Sequence, residues 1–324
     1  MTMKDKINNF FRHFTLTLSE KYPFDSKKYL YADYFELVSL FNSGSLITVG
    51  DMLDRLNDEG ILDQTKEVSD QAQQNDDEEF FVRSIFEILN QRQELFGYDY
   101  PFEYSKESIT IIAELNQKQK TYIFLLLSSN LNLFPDFQSN LTNEFELLSL
   151  EALKNYLPPF AITTSFGKNT DFKGYTYDKI QQLAKLMNLE PDEFYLNTIS
   201  KKGTQDLGLD IAGWIPFIDN VGNYFSIFGQ CACGKNWTSK LNETRRYNNF
   251  LKVYHSNIKH SIFIPYALIN SNNNSFFEHH EFGTDILVFE RKRVLSLIQN
   301  EEVFKNFESA LLVDSCLGFV ENIV

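Results

Sequence analysis

The residues best placed to do chemistry lie in one run, 203–241, which reads GTQDLGLDIAGWIPFIDNVGNYFSIFGQCACGKNWTSKL. Asp210 opens an apolar stretch, 211–218, that has the character of a strand. The DNVGN cluster at 219–223 is turn chemistry, and a second strand runs from Tyr224 to about Ala232. Strands joined by so short a link pair antiparallel, so Asp210 at the start of one should lie near Gln230 at the end of the other. A carboxylate and an amide oxygen held on adjacent strands suit a hard cation such as Mg²⁺ or Mn²⁺, which takes few protein ligands and keeps several waters. Asp206 is a further candidate ligand. Hydrolysis of a phosphodiester at such a centre also needs a positive group to stabilise the charge that builds on phosphorus. Lys240 would sit about one turn into a helix that starts after Gly234, its side chain leaning back toward the strand end. Lys235, at the bend, competes for the same role.

Charge argues both ways. The 324 residues carry a net charge of −14, which opposes binding to a polyanion, since Lys and Arg supply most non-specific affinity for phosphate. Yet Lys235, Lys240, Arg245, Arg246, Lys252 and Lys259 fall in one stretch whose only acid is Glu243. Arg245, Arg246, Lys252 and Lys259 are therefore candidate nucleic-acid contacts. A solvated face is the other reading of the same charges. The three cysteines form no regular framework and argue for a reducing cytoplasm. The start, MTMKDKINNFFRHF, lacks the apolar core of a leader, and the longest apolar run, 122–127, is too short for a bilayer. A cytoplasmic chain without membrane contact is expected.

The elements that must position these residues divide the chain near 160. Residues 1–160 read as a mainly helical domain for binding a partner or target, with apolar stripes at three-to-four spacing in Tyr34, Leu37, Val38 and Phe41, and in Phe81, Ile85, Ile88 and Leu89. Residues 66–79 (KEVSDQAQQNDDEE) hold one large apolar residue and predict a loop. A short strand at 108–113 is followed by helices at about 118–131 and 142–156, the second carrying Glu144 and Glu146 in its first turn and stopped by Pro158 and Pro159. In 161–324, an amphipathic helix at 178–187 precedes the two strands. Apolar runs at 261–268 and 284–289 predict further strands, and a closing helix starts near Arg293.

With Asp206-x-Gly208-x-Asp210, a hairpin and Gln230 in place, the run resembles the Mrr-like branch of the PD-(D/E)xK nucleases. The resemblance covers roughly 176–298. It implies an α+β protein: a mostly helical N-terminal region followed by a restriction-endonuclease-like α/β core, with a mixed central sheet flanked by helices. It also implies Mg²⁺-dependent cleavage of DNA, with Asp210 as the essential metal ligand, Gln230 in the acidic or glutamine position, and the helix that begins at Asp178 as the leading helix. The segments QCACGKNWTSK, SIFIPY and DILVFERKR are similar to those of uncharacterised bacterial phage-defence nucleases, so restriction or anti-phage defence is the implied setting. The usual lysine two residues after the glutamine is absent, replaced by Ala232, and the resemblance implies that its role passes to Lys240 in the segment that follows.

Other readings stand beside these. Asp206 and Asp210 are also what loop acids flanking a strand look like, and Gln230 on a buried strand can satisfy a backbone group. Cys231 and Cys233 lack a second ligand pair at zinc-finger spacing and read as packing residues, as do Trp214 and Trp237. His279 and His280 are adjacent and diverge, and His255 and His260 lie in the basic stretch. The acidic whole implies a partner subunit or a homo-oligomer that pools basic faces. A catalytically inactive nuclease fold with a recruiting role, or an RNA-directed enzyme, is the alternative.

Overall fold

The structure, a computed structural model, describes residues 2–18, 27–42, 44–62, 71–204, 206–253, 257–282, 285–300 and 302–320, without the side chains of 71–74. The first part of the chain forms helices α1 (Met3–Phe11), α2 (Lys28–Leu40), α3 (Val49–Asp58), α4 (Gln71–Phe96) and α5 (Gln117–Ser128). Three short strands, β1 (Ile47–Thr48), β2 (Phe102–Ser105) and β3 (Ser108–Ile111), make an antiparallel sheet in the order β1-β3-β2. Capping boxes start α1 at Thr2, α3 at Thr48 and α5 at Asn116, each satisfying orphan amides of a first turn. Helix α2 (KYLYADYFELVSL) is buried on nearly every side, so its residues are mostly apolar or aromatic and its two acids, Asp33 and Glu36, are buried with them.

Residues 71–79, expected as a loop, are instead the first turns of α4; residues 66–70 lie outside the described residues. Alanine, glutamine and glutamate are good helix formers, and a helix already anchored by Phe81, Val82, Ile85, Phe86 and Leu89 propagates outward at little cost.

Helix α6 (Gln138–Tyr156) ends just before the proline pair. Then follow β4 (Ile162–Ser165), α7 (Thr176–Leu186), β5 (Glu190–Pro191), α8 (Glu193–Leu196), β6 (Ile211–Trp214), β7 (Ser226–Cys231), α9 (Tyr247–Phe250), β8 (Leu251–Lys252) and β9 (Ile258–Phe263). A hairpin, β10 (Ile269–Asn270) and β11 (Ser275–Phe276), precedes β12 (Ile286–Phe289), and helices α10 (Arg291–Leu297), α11 (Glu302–Lys305) and α12 (Ser309–Leu317) close the chain. The main sheet has five strands in the order β12-β9-β7-β6-β4. β12, β9 and β7 run parallel, and β6 is antiparallel to both β7 and β4. The protein is thus α+β, with a mixed sheet flanked by helices. The β6 ladder stops at Trp214, short of the expected 218, because Pro216 follows and cannot donate to a ladder.

One face of this sheet packs on α7 and α9 through Ala212, Trp214, Phe228, Ile180, Leu183 and Tyr247. The other face receives α6 so closely that a Cβ on Gly213 would lie 2.7 Å from Leu157 and 3.2 Å from Leu153. Two compact units result: 1–138 with 266–279 and 301–324, and 139–265 with 280–300. Whereas the sequence suggested a division near 160, α6 belongs with the main sheet, and the end of the chain returns to the first unit. Among the described residues no helix is long and apolar enough to cross a membrane.

Candidate functional site

Asp210, one residue before β6, ties three strand ends together. Its N–H donates to the Gly229 carbonyl at 3.0 Å, and its own carbonyl accepts from Phe166 at 2.6 Å and Gly167 at 3.0 Å. The backbone is therefore fixed on both sides, and the side chain follows: Oδ2 accepts the Cys231 amide at 2.7 Å. The other oxygen meets a second acid. A Cβ on Gly167 would stand 2.9 Å from Asp210 Oδ1 and 2.8 and 2.9 Å from the two oxygens of Glu146, so the carboxylates converge over a residue that must lack a side chain. Glu146 arrives from α6, and Ser165 Oγ donates to its Oε1 at 2.9 Å.

Burial dominates the electrostatics. It pushes the Asp210 carboxyl up to about 7, with Asp206 and Glu146 adding repulsion, while the Cys231 amide and the positive charge of Lys240 oppose the rise. Glu146 is raised by the same burial, against the pull of the Ser165 hydroxyl. Two acids that resist ionising side by side are in the state a cation would relieve. Asp206 acts at longer range: its Oδ1 accepts the Gly208 amide at 2.9 Å, and the three acids do not gather within 4.8 Å of one another.

Gln230 lies on β7 beside this centre. Its Nε2 donates to Glu243 Oε2 at 2.6 Å, which fixes the amide, and its Oε1 is buried with no hydrogen-bond partner. Among the described residues no hydrogen bond joins the Asp210 and Gln230 side chains. Glu243 reaches Gln230 because Gly208, at φ +86°, has no Cβ to block it. Lys240 ends a 3-10 turn, 237–240, and is exposed; Lys235 is half-buried. The expected helix after Gly234 is replaced by this turn and a second one, 243–246. Asn236, Thr238, Ser239 and Asn242 compete for backbone groups, as Ser239 Oγ does by donating to the Asn236 carbonyl at 2.7 Å.

Comparisons with family models, curated proteins and solved structures match nothing. The site is therefore read on its own geometry.

The basic stretch is not a continuous track. Arg245 pairs with Asp285 and Lys252 with Glu190 at 3.7 Å, leaving Arg246 exposed and Lys259 half-buried on β9. His260 is buried on β9 and kept neutral, its pKa drawn down to about 4 by desolvation, with Nδ1 3.0 Å from Thr244 Oγ1. His255 lies outside the described residues. Cys231 and Cys233 are reduced thiols held well above their ordinary pKa by burial, Trp237 stacks on Phe282 with centroids 5.1 Å apart, and Trp214 is core. Asp178, expected on the leading helix, caps that helix through the Tyr175 amide at 2.9 Å. The helix that brings an acid to Asp210 is α6. The sequence shows Glu146 as an acid in an early helical turn, but no local spacing links residue 146 to residue 210. Glu243 was visible as the one acid in the basic stretch, and Gly208 in the D-x-G-x-D run.

Proposed function

We propose that the protein is a metal-dependent nuclease that hydrolyses phosphodiester bonds, with DNA as its substrate. The observation that carries the reading is the convergence of Asp210 and Glu146 over Gly167, two acids whose charge burial penalises, with the Lys240 charge acting on Asp210. The residues fit a hard divalent cation. Asp210 and Glu146 would hold it, with the orphaned Oε1 of Gln230 as a neutral oxygen donor, since a buried acceptor without a donor is rare in a folded protein. Bound there, Mg²⁺ or Mn²⁺ would lower the pKa of a coordinated water and polarise the phosphate.

The chain's own residues do the rest. Burial disfavours the charged forms of Glu146 and Asp210, and a bound cation would offset that penalty. The Cys231 amide and the three-strand backbone tie prevent Asp210 from turning away. Lys240 supplies positive charge beside Asp210, suited to a phosphate in flight. Arg246 and Lys259 offer phosphate contacts, and the net charge of −14 places much of the nucleic-acid affinity on a partner subunit or a second copy. A role in restriction or anti-phage defence follows from the resemblance of the QCACGKNWTSK, SIFIPY and DILVFERKR segments. The second reading is a silent nuclease fold, favoured by Ala232, which is buried where the family pattern has its lysine.

Plasmid nicking with Mg²⁺ or Mn²⁺ tests the proposal, comparing wild type with Asp210→Ala, Glu146→Gln and Lys240→Ala. Loss of about a hundredfold or more is expected from either acid and about tenfold or more from the lysine. Equal nicking by all four proteins removes the assignment, and no nicking under any cofactor or partner condition favours the silent fold.

A further inference from the structure

We propose that a groove on the first unit, walled by α3, docks a basic amphipathic helix from a partner protein. The groove encloses about 590 Å³ and has an apolar floor of Leu16, Val38, Phe41, Ile47 and Met52, all buried. Leu46 stands at its lip, 60% exposed. The rim is of one sign. Asp51, Asp54 and Asp58, at three- and four-residue spacing, lie along one side of α3 and all line the groove.

Among the described residues that line the groove, the one cation, Arg55, is already paired. Arg55 Nε donates to Tyr34 Oη at 2.7 Å and to Glu59 Oε1 at 3.1 Å, and its NH2 group donates to the Leu16 carbonyl at 2.6 Å. Asp51 caps α3 at Thr48, accepting its amide at 2.8 Å and its hydroxyl at 2.7 Å. Asp54 and Asp58 are exposed and four residues apart, a like-charge pair that costs the helix stability. That cost is offset when a positive side chain comes between them.

An apolar floor with an acidic rim selects for a guest that is apolar on one face and basic on the edges, which is the helix-in-groove mode of recognition. A small cation would leave the floor wetted, and an acidic or anionic surface would be repelled. A second copy of the chain, at net −14, is opposed by the same repulsion. Charge complementarity therefore chooses the basic helix, and the field of the acidic chain would steer it in. The proposal is independent of the nuclease reading.

The test uses the full chain and a fluorescent Leu/Lys peptide about four turns long, designed to be amphipathic as a helix, with a scrambled peptide of the same composition as control. Anisotropy titrations at two salt concentrations should show the helical probe binding at least about tenfold more tightly than the scramble. Asp54→Lys with Asp58→Lys should weaken binding about tenfold and flatten its salt dependence, whereas the charge-matched pair Asp76→Lys with Asp77→Lys, on α4, should not. Leu46→Asp, at an exposed position, should also weaken it. Equal affinity for both peptides, or equal loss in the two charge-reversed pairs, would show diffuse attraction to an acidic protein and overturn the proposal. A dimer dispersed by Asp54→Lys with Asp58→Lys would overturn it in favour of a second copy.

Discussion

Both units bury carboxylates, and they treat them in opposite ways. In the first unit Asp33 and Glu36, on α2, share one guanidinium: Arg92 NH1 lies 2.8 Å from Asp33 Oδ1 and 2.8 Å from Glu36 Oε1, while NH2 donates to the Tyr29 carbonyl at 3.0 Å. Tyr100 and Tyr122 each donate to Glu36 Oε1 at 2.8 Å, and Ser129 donates to Asp33 Oδ2 at 2.7 Å. In the second unit Asp210 and Glu146 converge with no arginine paired to either among the described residues, and burial raises both. In the first arrangement one buried guanidinium faces both acids and links α2 to α4, and Tyr122 ties in α5. In the second, the two acids take only amide and hydroxyl donors among the described residues, so their charge is left to be compensated, which is why burial raises them.

The largest effect that could break this contrast is at Arg92. Arg92→Met should leave two buried acids without their counter-charge and cost about 3–5 kcal/mol in urea denaturation. A loss under about 1 kcal/mol would mean the network is not what holds the first unit.

The next effect has the opposite sign. Asp210 keeps its proton to higher pH when folded than when unfolded, so its contribution to stability is present below about pH 4 and is lost as pH rises toward 7. Asp210→Asn removes that loss and should be more stable than wild type by on the order of 2 kcal/mol at pH 8, with no gain at pH 4. Thermal melts across this range measure it, and a gain that did not depend on pH would contradict the electrostatic cause.

The smallest effect calibrates the other two. Arg245 and Asp285 form an ion pair at the surface, so Arg245→Ala should change stability by less than about 0.5 kcal/mol. If it matched the Arg92 change, burial would not be the variable that separates these charges.

Much of the second unit was legible because its signals are local. The turn chemistry of 211–232 marked the antiparallel pair, and the apolar run at 284–289 overlaps β12, whereas the run at 261–268 meets β9 only over its first three residues, β9 being Ile258–Phe263. Local signals failed where short-range competition decided the outcome. Polar residues after Gly234 turned a predicted helix into two 3-10 turns, and an anchored helix drew 71–79 out of a predicted loop.

By itself, the sequence determined the α+β class, the hairpin that carries Asp210 and Gln230, and the burial of both tryptophans. These depend on periodicity and turn residues within a dozen positions of one another. Only the tertiary structure decided that Glu146 is the acid beside Asp210, that Glu243 orients Gln230, and that Arg245 and Lys252 face acids of their own. Each joins residues whose meeting depends on how helices and turns pack on a sheet, and packing is set by the sum of many weak contacts rather than by any spacing along the chain.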